Sequence, residues 1–236
     1  MSGNRPSSVG VVTGLAAESR LIADDRGLPE GVRVYCAGAD STRAGERAEL
    51  LLAEGATALI SFGIAGALDP ALASGDLVLA HSVRAPEGQH YAVDETWRVA
   101  VAGSLPGQAA TVRQGVILGS TETLLTTDQK AAAFGASGCL AVDMESHAVA
   151  AVAARHGVPF LALRAIADTA DTPLPAFVTD AVKANGETAV LRALGALAAQ
   201  PWQLPAALRL SRRSTLALAR LGEAMRKSEA LFRRGG

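Results

Sequence analysis

Short apolar runs alternate with amphipathic segments along most of the chain. Apolar runs of strand length occupy residues 9–14, 31–38, 57–63, 75–83, 110–119, 138–143 and 158–167. Segments with apolar residues at helical spacing occupy residues 15–24, 43–54, 126–134, 145–156 and 176–199. Strands that alternate with helices are typical of a mostly parallel sheet covered by helices on both faces. The pattern therefore predicts a single α/β domain over residues 1–200, with a glycine-rich turn at residues 63–70.

The last part of the chain follows a different pattern. The sequence QPWQLP at residues 200–205 predicts a linker. Eight basic and two acidic residues from Pro201 onward give a net charge of +6, against −7 for the first 200 residues. Apolar residues at near-helical intervals predict a helix with an apolar stripe, formed by Leu204, Leu208, Thr215, Leu218, Leu221 and Met225. Residues 201–236 are thus predicted to be a basic helical tail, which either lies on an anionic membrane or packs on the acidic body.

The composition is that of a folded protein with its own core. With 49% hydrophobic and 19% charged residues among 236, a mainly disordered chain is excluded. No apolar run reaches the roughly 18 residues that cross a bilayer, and the first residues lack the apolar region of a signal peptide. Cys36 and Cys139 are isolated and the four histidines are scattered, so no metal site is expected. These features predict a cytoplasmic protein.

Acidic residues stand at the ends of two predicted strands. Asp143 and Glu145 end one of them, and Asp168 and Asp171 follow the other. Ligands of α/β sheets bind beyond the carboxyl ends of the strands, so these carboxylates should share one rim of the sheet. Arg164, within the second strand, is expected to form a structural pair with Asp171.

Several motifs, in order, resemble one family. The segments LISFGIAGALDPALASGDLVLA (59–80), AVDMES (141–146) and VPFLALRAIADTAD (158–171) resemble the purine nucleoside phosphorylase and methylthioadenosine/S-adenosylhomocysteine nucleosidase superfamily. VVTGLAAESRLI (11–22) resembles its first strand and the acidic turn that follows. The variants GLAAES, DMESHAVA and RAIAD are most similar to the hopanoid-associated phosphorylases. The resemblance implies an enzyme that releases adenine from an adenosyl compound, in particular adenosylhopane during hopanoid biosynthesis.

The resemblance also implies roles for individual residues. Asp168 corresponds to the acid that donates a proton toward N7 of the purine, and apolar neighbours would keep its carboxyl protonated. Glu145 corresponds to the residue that accepts hydrogen bonds from the ribose 2′ and 3′ hydroxyls, and Met144 would pack on the ribose. Contacts with the base are expected from Ala65, Gly66, Leu124 and Leu125.

The first turn leaves hydrolysis and phosphorolysis open. Ser19 stands where the related hydrolases have the Glu that activates water, and Glu18, one residue earlier, is the predicted base. Phosphorylases bind phosphate through Arg and hydroxyl side chains, and Arg20 lies near one such position, with Arg43 as a further candidate. The nucleophile or phosphate site is expected at Gly14, Ser19, Arg20 and Gly63. Hydrolysis is favoured, and inorganic phosphate is the co-substrate in the alternative; no other cofactor is expected.

Two other functions stay open. One is a methylthioadenosine/S-adenosylhomocysteine nucleosidase, or another purine nucleoside phosphorylase, acting on soluble substrates. The other is a non-catalytic nucleoside-binding module, against which the presence of both Asp168 and Glu145 argues, because binding alone needs no poised acid. A dinucleotide-dependent oxidoreductase is excluded, since TGLAAES is not GxGxxG. The expected partners are a small or lipid-linked adenosyl substrate, an anionic membrane surface at the inner face of the cytoplasmic membrane, and further copies of the chain, but no nucleic acid.

Overall fold

A mixed eight-stranded sheet forms the centre of the protein. The computed structural model describes residues 8–23, 27–105, 112–175, 178, 186–187, 202 and 204–232. The strands are β1 (Val9–Thr13), β2 (Val32–Cys36), β3 (Ala58–Ala67), β4 (Leu77–Arg84), β5 (His90–Ala92), β6 (Val112–Gly119), β7 (Ala141–Asp143) and β8 (Phe160–Asp168). Most pairings are parallel, and those of β3 with β7, β4 with β5 and β4 with β8 are antiparallel. The predicted α/β fold with a central sheet is therefore confirmed.

Five of the strands close on one another. β3 pairs with β7, β7 with β6, β6 with β4, β4 with β8, and β8 again with β3. All nine residues of β8 are buried as a result. Such a strand is covered on both faces, which explains why its sequence is apolar almost throughout.

Helices cover both faces of the sheet. They are α1 (Ala16–Ile22), α2 (Ser41–Ala53), α3 (Glu95–Ser104), α4 (Thr127–Ser137), α5 (Ser146–His156) and α6 (Leu204–Lys227). The core cluster on one side takes residues from α2 and α5, and the cluster on the other side takes residues from α1, α3 and α6. Successive residues of β1 alternate between the clusters, with Val11 in one and Val12 in the other, as the pleat of a strand requires.

The helix ends follow local sequence signals. Asp40 and Asp94 accept hydrogen bonds from the first turns of α2 and α3. Thr126 and Gln129 form a capping box at the start of α4. Gly138 and Gly157 end α4 and α5 with φ of 65° and 62°, a conformation that glycine adopts without strain.

The structure differs from the sequence predictions at three places. The turn predicted at residues 63–70 is wrong in its first half, because β3 continues to Ala67 and carries both glycines. β5 and α3 were not predicted, since β5 has three residues and α3 buries only Trp97 and Val101. The helix predicted over residues 176–199 is interrupted at Gly186, which has a φ of 77°, and all but three of its residues lie outside the described part of the chain, as does the domain boundary at residue 200.

The predicted C-terminal helix is present and packs on the body. α6 begins at Leu204, inside the predicted linker, and it contacts β8 and α1. Of the predicted apolar stripe, Leu221 is buried and Leu218 and Met225 are half-buried, whereas Leu204 and Leu208 are exposed. No described helix is long and apolar enough to cross a bilayer.

Candidate active site

A cavity of about 190 Å³ lies where β1, β3, β7 and β8 end. It brings together most of the residues that the sequence predicts for the site. Eight of them line it: Gly14, Glu18, Ala65, Gly66, Leu124, Met144, Glu145 and Asp168. Four others do not line it: Ser19, Arg20, Gly63 and Leu125. Buried acids at the ends of neighbouring strands are therefore the main polar feature of a largely apolar cavity.

Glu18 is held in the first turn of α1 by backbone amides. Its Oε2 accepts hydrogen bonds from the N–H groups of Gly14 and Leu15, and its Oε1 accepts one from Ile64, all at 2.8 Å. A carboxylate offers about four acceptor positions, so one position remains for a ligand. Burial raises the pKa of Glu18, and the positive charge of Arg164 and the three amides oppose this.

Gly63 is needed for the approach of β3 to Glu18. A Cβ atom at residue 63 would lie 2.6 Å from Glu18 Oε1 and 2.6 Å from Arg164 Nη1. Gly63 itself does not line the cavity, but it leaves room for Glu18, which does, and for Arg164, which does not. Gly14 has a similar role, since its Cβ would lie 2.6 Å from Glu145 Oε1.

Arg164 is the centre of a buried polar network. Its Nε donates to Asp143, and its Nη2 donates to the hydroxyls of Ser61 and Ser146 at 2.6 and 3.1 Å and to Glu145 Oε2 at 3.5 Å. Its Nη1 has no hydrogen-bond partner. Because Nη1 and Glu18 Oε1 both flank Gly63, an unused N–H and an unused acceptor position lie near one another.

The pair predicted between Arg164 and Asp171 is wrong. Arg164 is fully buried within β8 and turns into the interior, whereas Asp171 lies beyond the strand and is exposed. The Asp171 carboxylate instead accepts hydrogen bonds from the hydroxyls of Thr169 and Thr172. The true partner, Asp143, also accepts a hydrogen bond from the Ser146 N–H at 3.0 Å, so it orients both Arg164 and the start of α5.

Glu145 has a strongly raised pKa. Burial, followed by the charges of Asp143 and Glu18, raises its pKa to about 8, although Arg164 acts in the opposite direction. At neutral pH much of Glu145 is therefore protonated. A ligand that brings positive charge or hydrogen-bond donors would favour the carboxylate.

Asp168 stands at a β-bulge and is paired with Lys130. The pairing of β3 with β8 shifts register between Ala65 and Gly66, which sets Asp168 opposite Gly66. Lys130, from α4, forms a buried ion pair with Asp168 Oδ2. Burial raises the pKa of Asp168, while Lys130 and then Arg213 lower it. Sequence reasoning missed Lys130, because a single Lys in a predicted surface helix carries no signal of its partner.

The residues predicted to contact sugar and base occupy the same wall. The Met144 sulfur accepts a hydrogen bond from the Thr123 hydroxyl at 3.6 Å, and Leu124 lines the cavity next to it. Leu125 supports this wall through its backbone, since its N–H donates to Gln129 and its carbonyl accepts from Leu174. A flat apolar ligand would thus contact Leu124 and Met144.

No free cation faces the cavity among the described residues. Arg20 is exposed in the last turn of α1, and the Ser19 hydroxyl bonds to Thr13 at 2.6 Å. The guanidinium of Arg43 donates to the carbonyls of Ala37 and Gly38 and pairs with Asp40. Lys130 lines the cavity, but it is already paired. The same described part of the chain holds no group of three His, Cys, Asp or Glu that could bind a metal.

Comparison with known families yields one match. A family model described as "Phosphorylase superfamily" matches residues 32–199, which is most of the chain. No curated protein sequence matches.

Solved structures share the fold at low identity. A 5′-methylthioadenosine/S-adenosylhomocysteine nucleosidase from Neisseria meningitidis, in complex with methylthio-immucillin-A, has a TM-score of 0.70 and 18% identity, over 94% of this chain and 99% of that one. The corresponding nucleosidase from Colwellia psychrerythraea, in complex with adenine, has a TM-score of 0.65 and 19% identity, over 81% and 96%. Futalosine hydrolase of Helicobacter pylori has a TM-score of 0.62 and 20% identity, over 70% and 89%.

Proposed function

The chain belongs to the phosphorylase superfamily, a family of enzymes, and from that membership we propose that it cleaves the N-glycosidic bond between adenine and ribose in an adenosyl compound. One observation carries the proposal: the buried carboxyls of Glu18, Glu145 and Asp168 line a single apolar cavity, together with that of Asp143, which is paired with Arg164. A nucleoside-binding module would not need three such groups, because each one costs stability when it is buried.

The three carboxyls fit the steps of the reaction. Asp168 gives its proton to N7 of the purine, so that the electrons of the breaking C1′–N9 bond pass to a neutral leaving group. The ribose ring becomes an oxocarbenium ion, which the negative charge of Glu145 stabilises while it accepts hydrogen bonds from the ribose hydroxyls. Water then adds to C1′ and loses its proton to Glu18. The products are adenine and the ribose compound with a hydroxyl at C1′, and the proton that Glu18 gains must return to Asp168 by exchange with solvent before the next turnover.

Hydrolysis is the preferred form of the reaction. Glu18 lines the cavity and three of the about four acceptor positions of its carboxylate are taken by backbone amides, so the remaining position could accept a hydrogen bond from a water molecule. A phosphate dianion would instead require free cationic side chains, and Arg20 and Arg43 do not line the cavity.

Adenosylhopane is the proposed substrate. The proposal rests on the similarity of residues 14–19, 143–150 and 164–168 to the hopanoid-associated phosphorylases. Leu174 lends it support, since this residue lines both the cavity and a second groove against Leu210 and Arg209 of α6. A lipid-linked nucleoside could extend along this route. The alternative substrate is methylthioadenosine or S-adenosylhomocysteine, on which the Neisseria relative is named to act.

One incubation series tests the reaction and the substrate. The protein is incubated with adenosylhopane or methylthioadenosine, each with and without phosphate, and adenine and the sugar product are identified. We expect adenine release without phosphate and faster turnover of adenosylhopane. A sugar 1-phosphate formed only with phosphate would make the enzyme a phosphorylase. If the protein binds an adenosyl compound but releases no adenine, it is a non-catalytic nucleoside-binding module.

The first half of α6 is the proposed membrane contact. Trp202 and Leu208 are 72% and 53% exposed, Leu204 is exposed beside them, and Arg209 and Arg212 are exposed on the same part of the helix. Each basic residue close to an anionic surface contributes about 1 kcal/mol, so binding should be peripheral and salt-sensitive. We also propose, from the family resemblance, that the chain forms a homo-oligomer, which light scattering measures directly.

Surface substitutions test the contact better than truncation. Removal of α6 would open the core, because Ala217, Leu221 and Ala224 are buried in it. The variant Leu204→Ser/Leu208→Ser/Arg209→Ser should instead lose salt-sensitive co-sedimentation with phosphatidylglycerol vesicles. Leu50→Ser, an exposed leucine on α2, is the matched control and should bind like the wild type. If the wild-type protein does not bind these vesicles at low salt, α6 has a structural role only.

A further inference from the structure

Lys130 is a buried cation beside the proposed acid. Its side chain is 1% exposed, and its ammonium uses all three of its protons. One goes to Asp168 Oδ2, and the others go to the carbonyls of Thr169 at 3.0 Å and Thr172 at 2.8 Å. Burial of an ammonium group costs folding free energy unless its hydrogen-bond partners are well placed. A position that satisfies all three donors of Lys130 is therefore a specific structural arrangement.

The position of Lys130 is fixed by a well-capped helix. Lys130 is the fourth residue of α4, and its N–H donates to the carbonyl of Thr126. Thr126 and Gln129 close a capping box, and Gln129 also accepts from the N–H of Leu125. The ammonium therefore reaches the end of β8 from a rigid element and bridges 38 residues of sequence to Asp168.

We propose that Lys130 is a positioning residue, which holds one oxygen of Asp168 and the loop after β8 so that the other oxygen, Oδ1, is presented to the purine. The inference rests on the proposed function, in which Asp168 protonates the base. In the described part of the chain no side chain donates to Oδ1, and Asp168 lines the cavity. Oδ2 is thus the anchored oxygen and Oδ1 the working one.

Lys130 also sets how readily Asp168 gives up its proton. Burial alone would keep the carboxyl protonated, and the positive charge of Lys130 acts against it. The charged groups that act on Asp168 are Lys130 from α4 and, more weakly, Arg213 from α6, which donates to the hydroxyl of Thr172. Removing the lysine charge should therefore raise the pKa of Asp168.

The test combines a titration with kinetics. The carboxyl carbon of Asp168 is followed by NMR as a function of pH in the wild type, in Lys130→Met and in Lys130→Arg, with Lys227→Met as an exposed-lysine control. The pKa of Asp168 should rise by at least about one unit in Lys130→Met, remain near the wild-type value in Lys130→Arg and be unchanged in Lys227→Met. This readout needs no turnover, so it stands even if no adenosyl compound is cleaved.

Kinetics with methylthioadenosine then separate positioning from general stability. Lys130→Met should lower kcat at least 10-fold with KM changed less than about 3-fold, because the acid is misplaced while the cavity persists. In an Asp168→Asn background the same substitution should cause no further loss, since Lys130 acts through Asp168. That double variant has no unpaired buried charge, so it should fold even if Lys130→Met alone does not. An additive loss in the double variant, or an unmoved Asp168 titration in a folded Lys130→Met, would overturn the proposal.

Discussion

Substitution of Gly63 by alanine tests how closely the site is fitted around Glu18. The new Cβ would lie 2.6 Å from Glu18 Oε1 and from Arg164 Nη1, whereas ordinary van der Waals contact begins near 3.4 Å. The carboxylate must therefore move by about 0.8 Å, unless Arg164 or the strand gives way. Arg164 has little freedom, since its other nitrogens are bonded to Asp143, Ser61 and Ser146.

The displacement has two expected costs. A shift of about 0.8 Å stretches a 2.8 Å hydrogen bond to Glu18 beyond the usual limit, so at least one of its three amide contacts is lost. Overpacking of this kind costs about 1–3 kcal/mol of unfolding free energy. Misplacement of a catalytic group by about 1 Å costs roughly 10²-fold in rate, so kcat for adenine release should fall by about that factor.

Gly45→Ala is the matched control. Gly45 lies within α2, and its Cβ would meet only Ala148, at 4.0 Å. This variant should keep wild-type kcat and gain up to about 1 kcal/mol, because alanine favours the helix. Both variants are compared by urea unfolding and by adenine release. Wild-type kcat in a folded Gly63→Ala would refute the idea that the position of the Glu18 carboxyl matters for turnover.

Three further predictions concern single side chains. Asp168→Asn should lower kcat by at least about 10²-fold, because the amide cannot protonate the purine. It should also lower the stability, because the buried Lys130 loses the charge of its partner. Near-wild-type turnover would remove Asp168 from the mechanism. Glu145→Gln should lower kcat yet raise stability, because the raised pKa of Glu145, about 8 against 4.5, makes the wild type lose on the order of 3 kcal/mol as pH rises from 4.5 to 7. Urea unfolding of both proteins at pH 5 and 7 should therefore show a much larger difference in stability at pH 7. Leu221→Ala in α6 should cost about 2–5 kcal/mol and Leu208→Ala less than about 0.5, since the first is buried and the second exposed; equal thermal midpoints would mean that α6 does not belong to the core.

The α/β fold and the position of the acidic residues could be predicted from the sequence, because both depend on the local pattern of apolar and polar residues. Alternating apolar runs identify strands wherever a strand is buried, as in β3 and β8. Acidic residues that follow parallel strands can be assigned to the same rim of the sheet even when the order of the strands is unknown. The wrong predictions concern residues whose contacts depend on which strands are neighbours. Asp143 and Arg164 meet because β7 and β8 both pair with β3, an arrangement that no local pattern encodes.

The glycines of β3 illustrate the same limit. Two glycines three residues apart predict a turn, because glycine commonly occurs where the chain reverses. In the structure they lie within a strand, and their missing side chains leave space for Glu18 and Arg164 at Gly63 and for Asp168 at Gly66. Lys130 is the converse case. A charged residue in a helix predicts a solvent-exposed position, but Lys130 is buried and pairs with Asp168, 38 positions away.

The charges around Arg164 explain why the site should favour a transition state over a substrate. Glu18, Asp143 and Glu145 surround one guanidinium, and in the described part of the chain the ion pairs of these carboxyls involve Arg164 alone. With all three ionised, the buried cluster would carry a charge of −2, and the raised pKa of Glu145 favours a proton on that residue instead. A neutral nucleoside supplies no compensating charge, whereas a ribosyl cation does, and its binding lets Glu145 ionise. The same burial that destabilises the folded chain near neutral pH is thus complementary to the cationic sugar, which is why Glu145→Gln should move stability and kcat in opposite directions.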